Sequence, residues 1–352
     1  MANMRVLLVT SVRDEGPYLL EWIAHHRAAG VTDFLVYSND CEDGTDAILN
    51  ALDRAGIVTH VPQQREGGKS VQWQALKSAW KHPLRKVADW VLVSDVDEFL
   101  NIHAEGHDLS GLLAALPGDV DGVVIPWRLF GSNDRIEIED LATTQQFTRA
   151  IPPDVQFPVA ASFFKTLFRT SGPFNMLGVH RPRQKAEDKH GLPKLVDGAG
   201  RAFPEAFLRN EKRLSLWGMP PGRALVEMNH YSVRSAAAFL VKTGRGLPNR
   251  TSKQVDLGYW VERNYNQVED RSIDVMRPGT EVELQALLQV PDVADLHLKA
   301  VGWHKARFAQ MLRDADNHQL LTEILSAGGS VALSKSLQQQ LVKWYQLTQG
   351  AS

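Results

Sequence analysis

A single cysteine, Cys41, in 352 residues excludes an intramolecular disulfide and any multi-cysteine zinc centre. An excess of one charge is missing as well. Lys and Arg number 39 against 41 Asp and Glu, for a formal net charge of −2, which argues against coating nucleic acid through bulk charge. No apolar run reaches the roughly 18 residues of a membrane helix. Met1-Ala2-Asn3-Met4-Arg5 enters a short apolar stretch without the layout of a cleavable signal. Internal repeats and low-complexity tracts are absent. What is present is ordinary for a protein with a sizeable core, 43% hydrophobic and 23% charged residues. The expectation is an enzyme-sized cytoplasmic protein.

The first third alternates two periodicities. Short β-branched runs at Val6–Val12, Asp33–Ser38, Ile57–Val61 and Asp89–Ser94 read as buried strands. Helical spacing lies between them, from Pro17 to Gly30, from Thr45 to Ala55, and from Ser70 to Lys86 with a break near Pro83. Strand–helix repeats with short links build a parallel sheet with helices on its faces, and such sheets bind ligands at the carboxyl ends of their strands. Gly122–Leu129, Phe163–Arg169 and Ala224–Met228 read as later strands, separated by long Pro-, Gly- and Arg-rich connections. Helical patterns occupy Val282–Leu288, Trp303–Leu325 and Ser334–Leu347.

The most informative segment is Ser94-Asp95-Val96-Asp97-Glu98-Phe99, three carboxylates directly behind the fourth strand. Buried bare anions are expensive, so a metal ion, basic side chains or water must neutralise them. In an extended chain Asp95 and Asp97 point the same way and can share one hard divalent cation, Mn²⁺ or Mg²⁺, whose remaining positions suit substrate phosphates. Clustered carboxylates in Asp-x-Asp spacing also arise by chance on loops. Their place behind a strand favours the metal.

Three ordered stretches resemble the glycosyltransferase family 2 group of GT-A-fold enzymes. They are Arg13-Asp14-Glu15-Gly16 with Leu20-Glu21-Trp22, Ser38-Asn39-Asp40 with Asp43-Gly44-Thr45, and Asp95-Val96-Asp97-Glu98-Phe99. A later Asn229-His230-Tyr231 and Lys242-x-x-Arg245-Gly246 bring the pattern closest to the branch that also resembles family 92. The resemblance covers about residues 4–130, is scattered over 160–250 and is absent from the C-terminal helices. It implies an α/β, GT-A-like fold: a mostly parallel nucleotide-binding sheet flanked by helices. A catalytic domain at 1–250 (4–130 for the nucleotide-sugar, 131–250 for acceptor and metal loop) would precede a mainly helical extension at 251–352.

For the site, the resemblance implies that Val12, Arg13 and Glu15 lie near ribose and base, with Asn39 and Asp40 contacting one or the other. Lys69 and Gln72, behind Gly67-Gly68, would meet the nucleotide. Asp97 would ligate the metal and Asp95 reach the ribose or a metal-bound water, with His230 a further ligand and His180 its alternative. Lys242 and Arg245 would grip the diphosphate from a flexible, closing loop. Asp43-Gly44-Thr45 reads equally as a turn with a helix cap. Candidate bases for an inverting transfer are Asp134 and the Glu187-Asp188 pair. Trp127 and Phe130 suit either an acceptor sugar or the core.

The function implied is a metal-dependent hexosyltransferase using Mn²⁺ or Mg²⁺ and a nucleotide-sugar donor, a UDP-sugar first, with a carbohydrate or lipid-linked acceptor. Polysaccharide biosynthesis is its setting, with peripheral contact to the inner membrane face as an option and no nucleic-acid partner. The alternatives are a sugar-phosphate nucleotidyltransferase, although Ser11 to Gly16 lacks a glycine-rich phosphate loop, and a non-catalytic carbohydrate-assembly subunit.

Overall fold

The structure, a computed structural model, describes residues 4–66, 70–245 and 255–349. Its centre is a nine-stranded sheet: β1 (Val6–Val12), β2 (Asp33–Ser38), β3 (Thr59–Pro62), β4 (Trp90–Val93), β5 (Glu98–Ile102), β6 (Gly122–Leu129), β7 (Phe164–Arg169), β8 (Leu195–Asp197) and β9 (Val226–His230). The order is β3-β2-β1-β4-β7-β6-β9-β5, with β8 paired to β6. The strands β3, β2, β1 and β4 are mutually parallel, as the strand–helix repeats predict. Strand β7 then runs antiparallel to both β4 and β6, and β9 pairs parallel with β6 and antiparallel with β5.

Between the parallel strands run α1 (Gly16–Ala28), α2 (Thr45–Arg54), α3 (Val71–Lys81) and the short α4 (Pro83–Val87), which confirms the break at Pro83. The helix α5 (Leu109–Ala114) precedes β6, and α6 (Ala236–Arg245) follows β9. Then come α7 (Leu257–Val261), α8 (Arg277–Leu288), α9 (Val293–Met311), α10 (Ala315–Ala327) and α11 (Lys335–Gln349). Trp303–Leu325 is therefore two helices, broken where Asp314 caps α10 by accepting from the Asp316 and Asn317 amides. The β-branched run after the second helix pairs only from Thr59, and the last predicted strand starts two residues later, at Val226.

Fully buried β1 and β4 residues, such as Val6, Leu8 and Leu92, join Leu19, Trp22 and Ile23 of α1 in one core. Leu287, Val293 and Ala300 of α8 and α9 belong to the same core. The expected C-terminal extension thus packs directly on α1. Gly16 is where it comes closest: a Cβ there would lie 2.5 Å from Ala300 Cβ. Among the described residues no helix is long and apolar enough to cross a membrane.

Candidate active site

The ends of β1, β2, β4, β6 and β9 each deliver part of one cleft. The cavity, about 420 Å³, is lined by Ser11, Arg13 and Glu15 behind β1, Asn39 behind β2, Asp95–Asp97 behind β4 and Trp127 from β6. His230 closes β9, and α6 and α7 contribute Lys242, Arg245 and Tyr259, followed by Glu262 and Arg263. Phe157, Pro158 and Phe163 form an apolar wall.

The sheet register explains why Asp97 meets His230. In the antiparallel β9–β5 pair, His230 sits opposite Glu98, and the Tyr231 amide donates to the Asp97 carbonyl at 2.8 Å. The strand β5 begins immediately after Asp97, a strand the acidic sequence Asp-Glu concealed. As a result His230 Nε2 lies 3.5 Å from Asp97 Oδ1, with the Trp127 ring centroid 4.0 Å from that of His230. Lys242 Nζ donates to Asp97 Oδ2 at 2.8 Å. Burial alone would raise the Asp97 carboxyl. The Lys242 ammonium and His230 more than reverse this and hold it well below the usual carboxylate range. Burial lowers the imidazole of His230, against the pull of Asp97.

Asp95 is engaged differently. Its Oδ2 accepts from Lys165 Nζ at 2.9 Å and its Oδ1 from Gln72 Nε2 at 3.2 Å. Lys165, fully buried on β7, also reaches Glu98 Oε2 at 3.1 Å. The same Glu98 oxygen accepts from the Asp95 amide at 2.8 Å and from Ser94 Oγ at 3.0 Å. Glu98, whose role the sequence left open, therefore ties down the acidic turn from beneath. Burial and the neighbouring Asp95 and Asp97 raise its carboxyl, while Lys165 opposes them.

The β1–α1 turn is braced from α6. Arg245 pairs with Glu15 and donates to the carbonyls of Arg13 and Asp14. Arg234 Nη1 reaches Glu15 Oε2 at 3.1 Å. Lys242 and Arg245 sit on an ordered helix rather than on a flexible loop, because the small and apolar residues Ala236, Ala237, Phe239, Leu240 and Val241 bury one face of α6. Asp43 is a brace too. It accepts from Thr45 N and Oγ and from Gly16 N, and His304 Nε2 of α9 donates to it at 2.9 Å. The turn reading of Asp43-Gly44-Thr45 accounts for the two Thr45 bonds, and the bonds from Gly16 and His304 extend the same carboxylate to α1 and α9.

Of the other predicted residues, His180 lines the cleft, and its Nδ1 donates to the Phe164 carbonyl at 2.9 Å. Burial and nearby Lys165 push its imidazole down to about 3. Val12 is buried, and neither it nor Asp40 lines the cavity. Asp134, Glu187 and Asp188 do not line it either. Asp134 accepts from Asn266 Nδ2, and Glu187 pairs with Arg209 at the surface. Lys69 and Gly246 lie outside the described residues. Phe130 is buried in the core against Tyr231. The sequence reading gave no specific role to Lys165, whose signal is a cation near the start of an otherwise largely apolar strand, and missed the Tyr259–Arg263 segment. Asp256, which caps α7 on the Tyr259 amide, marks that helix in the sequence.

Fold and cleft define an α/β protein with a mostly parallel central sheet and a cleft rich in charged side chains at the strand ends. The chain belongs to glycosyltransferase family 92, whose sequence model matches residues 13–195, more than half of its length. Of the two families that its motifs resemble, this is the one the match supports. A glycosyltransferase family 92 protein of Oryza sativa subsp. japonica is 30% identical over 95 residues, 26% of this chain and 15% of the relative. A second, from Ricinus communis, is 31% identical over 98 residues, 27% of this chain and 17% of the relative. The chain thus matches less than a fifth of either relative's length. Among solved structures, the mannosyltransferase PcManGT from Pyrobaculum calidifontis, in complex with GDP-Man and Mn²⁺, aligns with 12% identity and a TM-score of 0.30, covering 92% of this chain and 85% of that one. S. aureus TarS 1–349 aligns with 11% identity and a TM-score of 0.33, covering 92% and 88%.

Proposed function

We infer that this chain is a metal-dependent glycosyltransferase moving a sugar from a nucleoside-diphosphate donor, UDP-linked in the first instance, to a carbohydrate or lipid-linked acceptor. The observation that carries the reading is the pairing of Asp97 with His230 beside Lys242 at the strand ends, within one cleft. A carboxylate oxygen and an imidazole nitrogen 3.5 Å apart suit Mn²⁺ or Mg²⁺ as a two-donor site. Among the described residues His230 Nδ1 is buried without a hydrogen-bond partner. Among the described residues no group of three His, Cys, Asp or Glu gathers around one point. Asp97 and His230 would therefore hold the ion together with diphosphate oxygens and water, the way hard cations use substrate phosphates. An ion bound there supplies positive charge to the departing diphosphate.

The chain's own residues do the rest. Arg13 and Lys242 add positive charge along the cleft, where negative charge develops. Arg245 acts one step back, holding the β1–α1 turn in shape through Glu15. Phe157, Phe163 and Trp127 offer apolar faces to an acceptor sugar and exclude water. In an inverting transfer, Glu262 on the α7 side of the cleft takes the acceptor proton in place of Asp134, Glu187 or Asp188.

The test is a screen of nucleoside diphosphates with and without Mn²⁺, read by thermal stabilisation and by metal-dependent hydrolysis of nucleotide-sugars. A diphosphate that stabilises the protein only with metal supports the reading. Metal-independent binding with no hydrolysis of any donor contradicts it.

A further inference from the structure

Of the buried lysines and arginines described around the cleft, Lys242 both lines the cavity and touches the carboxylate that faces it. Lys165 is fully enclosed between Asp95 and Glu98 and does not line the cavity. Arg245 is forked onto Glu15 and two main-chain carbonyls. Lys242 Nζ makes hydrogen bonds of 2.8 Å to Asp97 Oδ2 and 2.8 Å to the Ser232 carbonyl, above the ring of Tyr259. The two paired side chains are 12% and 10% exposed, at the cleft wall rather than beneath it.

Resting on the glycosyltransferase reading, we propose that Lys242 is an exchangeable counter-ion of Asp97. The ammonium occupies the carboxylate while the cleft is empty, and hands it over when a divalent cation arrives together with a diphosphate. A carboxylate this buried is not left unpaired. A doubly charged cation on Asp97 Oδ1, on the His230 side, would sit across one carboxylate from the ammonium held at 2.8 Å on Oδ2, and two cations that close repel strongly. The four-carbon stem of lysine lets Nζ swing while α6 stays packed, which the planar, doubly anchored Arg245 cannot do. Diphosphate oxygens give the displaced ammonium a new anion, in the place where the leaving group needs one. Cation and diphosphate then bind with positive coupling, each making room for the other.

Mn²⁺ binding measured by calorimetry and by the electron paramagnetic resonance signal of free Mn²⁺ tests this without turnover. Wild type is expected to bind Mn²⁺ alone weakly and at least tenfold more tightly with UDP or GDP present. Lys242→Met, which removes the competitor, is expected to bind Mn²⁺ alone at least tenfold more tightly than wild type and to lose most of the coupling to UDP. Lys242→Gln, which keeps a polar head without the charge, gives the same reading if the Met variant fails to fold. Removing a lysine that stays in place would also relieve repulsion of the cation but would leave the coupling between Mn²⁺ and UDP as in wild type, so loss of that coupling is the readout that marks exchange. A structure of the wild type with Mn²⁺ and UDP is expected to show Nζ more than about 4 Å from Asp97, outside ion-pair range. Unchanged or weaker Mn²⁺ affinity in a folded variant, while wild type binds Mn²⁺ with UDP, overturns the exchange alone. Absence of Mn²⁺ binding by wild type with every diphosphate overturns the glycosyltransferase reading and the exchange with it.

Discussion

Asp43 separates a structural brace from a nucleotide ligand, and Asp43→Ala tells the two apart. The carboxylate is buried and receives four donors: Gly16 N at 2.9 Å, Thr45 N at 2.8 Å, Thr45 Oγ at 2.6 Å and His304 Nε2 at 2.9 Å. Truncation strands the Gly16 and Thr45 amides and the imidazole in a space closed by Ala300. At about 1–3 kcal/mol for each buried donor left unsatisfied, with the hydroxyl free to reorient, the loss comes to about 3–5 kcal/mol. That is a large part of an ordinary folding free energy. Asp43→Asn keeps an oxygen for Thr45 and opposes an NH₂ to the Gly16 amide, so it costs about 1–2 kcal/mol. Urea denaturation followed by far-UV circular dichroism reads both. A truncation costing under about 1 kcal/mol would refute the brace argument, all the more if diphosphate binding vanished while stability held.

His25 and His26 are buried neutral at the α1 face away from the cleft, their imidazoles pushed down to about 4 and about 3 by burial, with His25 adding to the shift of His26. Unfolded, each protonates near its ordinary value, so the unfolded state binds more protons and stability falls as pH drops below about 6.5. One unit lower, each costs about 1.4 kcal/mol, and replacing either by an apolar residue should flatten the acid limb of a stability-versus-pH curve. Gly16→Ala would drive a methyl to 2.5 Å from Ala300 Cβ. The expected loss is about 1–3 kcal/mol by thermal unfolding, with Ala300→Gly as the compensating change. Lys165→Met leaves Asp95 and Glu98 facing each other without their shared cation, and about 3–5 kcal/mol should be lost, recovered in part by adding Glu98→Gln. Glu262→Gln should lower transfer to an acceptor while leaving diphosphate affinity within twofold of wild type. Lost affinity would give Glu262 a binding role instead.

The parallel half of the sheet was legible because each strand is a short apolar run fenced by a helix with a glycine or proline boundary. Gly122–Leu129 coincides with β6 to the residue, its apolar run broken only by Arg128. Strand β5 was invisible: its first residue, Glu98, is charged yet fully buried, and its counter-charge, Lys165, lies 67 positions on. The same long-range pairing hid the division of labour between Asp95 and Asp97, which share a motif but not partners. The flexible-loop expectation for Lys242 and Arg245 came from the glycine beside each. Gly244 in fact lies inside α6, where the buried apolar face outweighs its weak helix propensity. His230 was legible as the residue closing a strand, but its contact with Asp97 depends on the β9–β5 register, which a sequence does not carry.

The most direct check is Mn²⁺-dependent hydrolysis of a nucleotide-sugar by wild type and by Asp97→Asn, each confirmed folded by its unfolding midpoint. The account predicts metal-dependent release of the nucleoside diphosphate by wild type and a loss of at least a hundredfold in the variant. Full metal-dependent release by Asp97→Asn would contradict it.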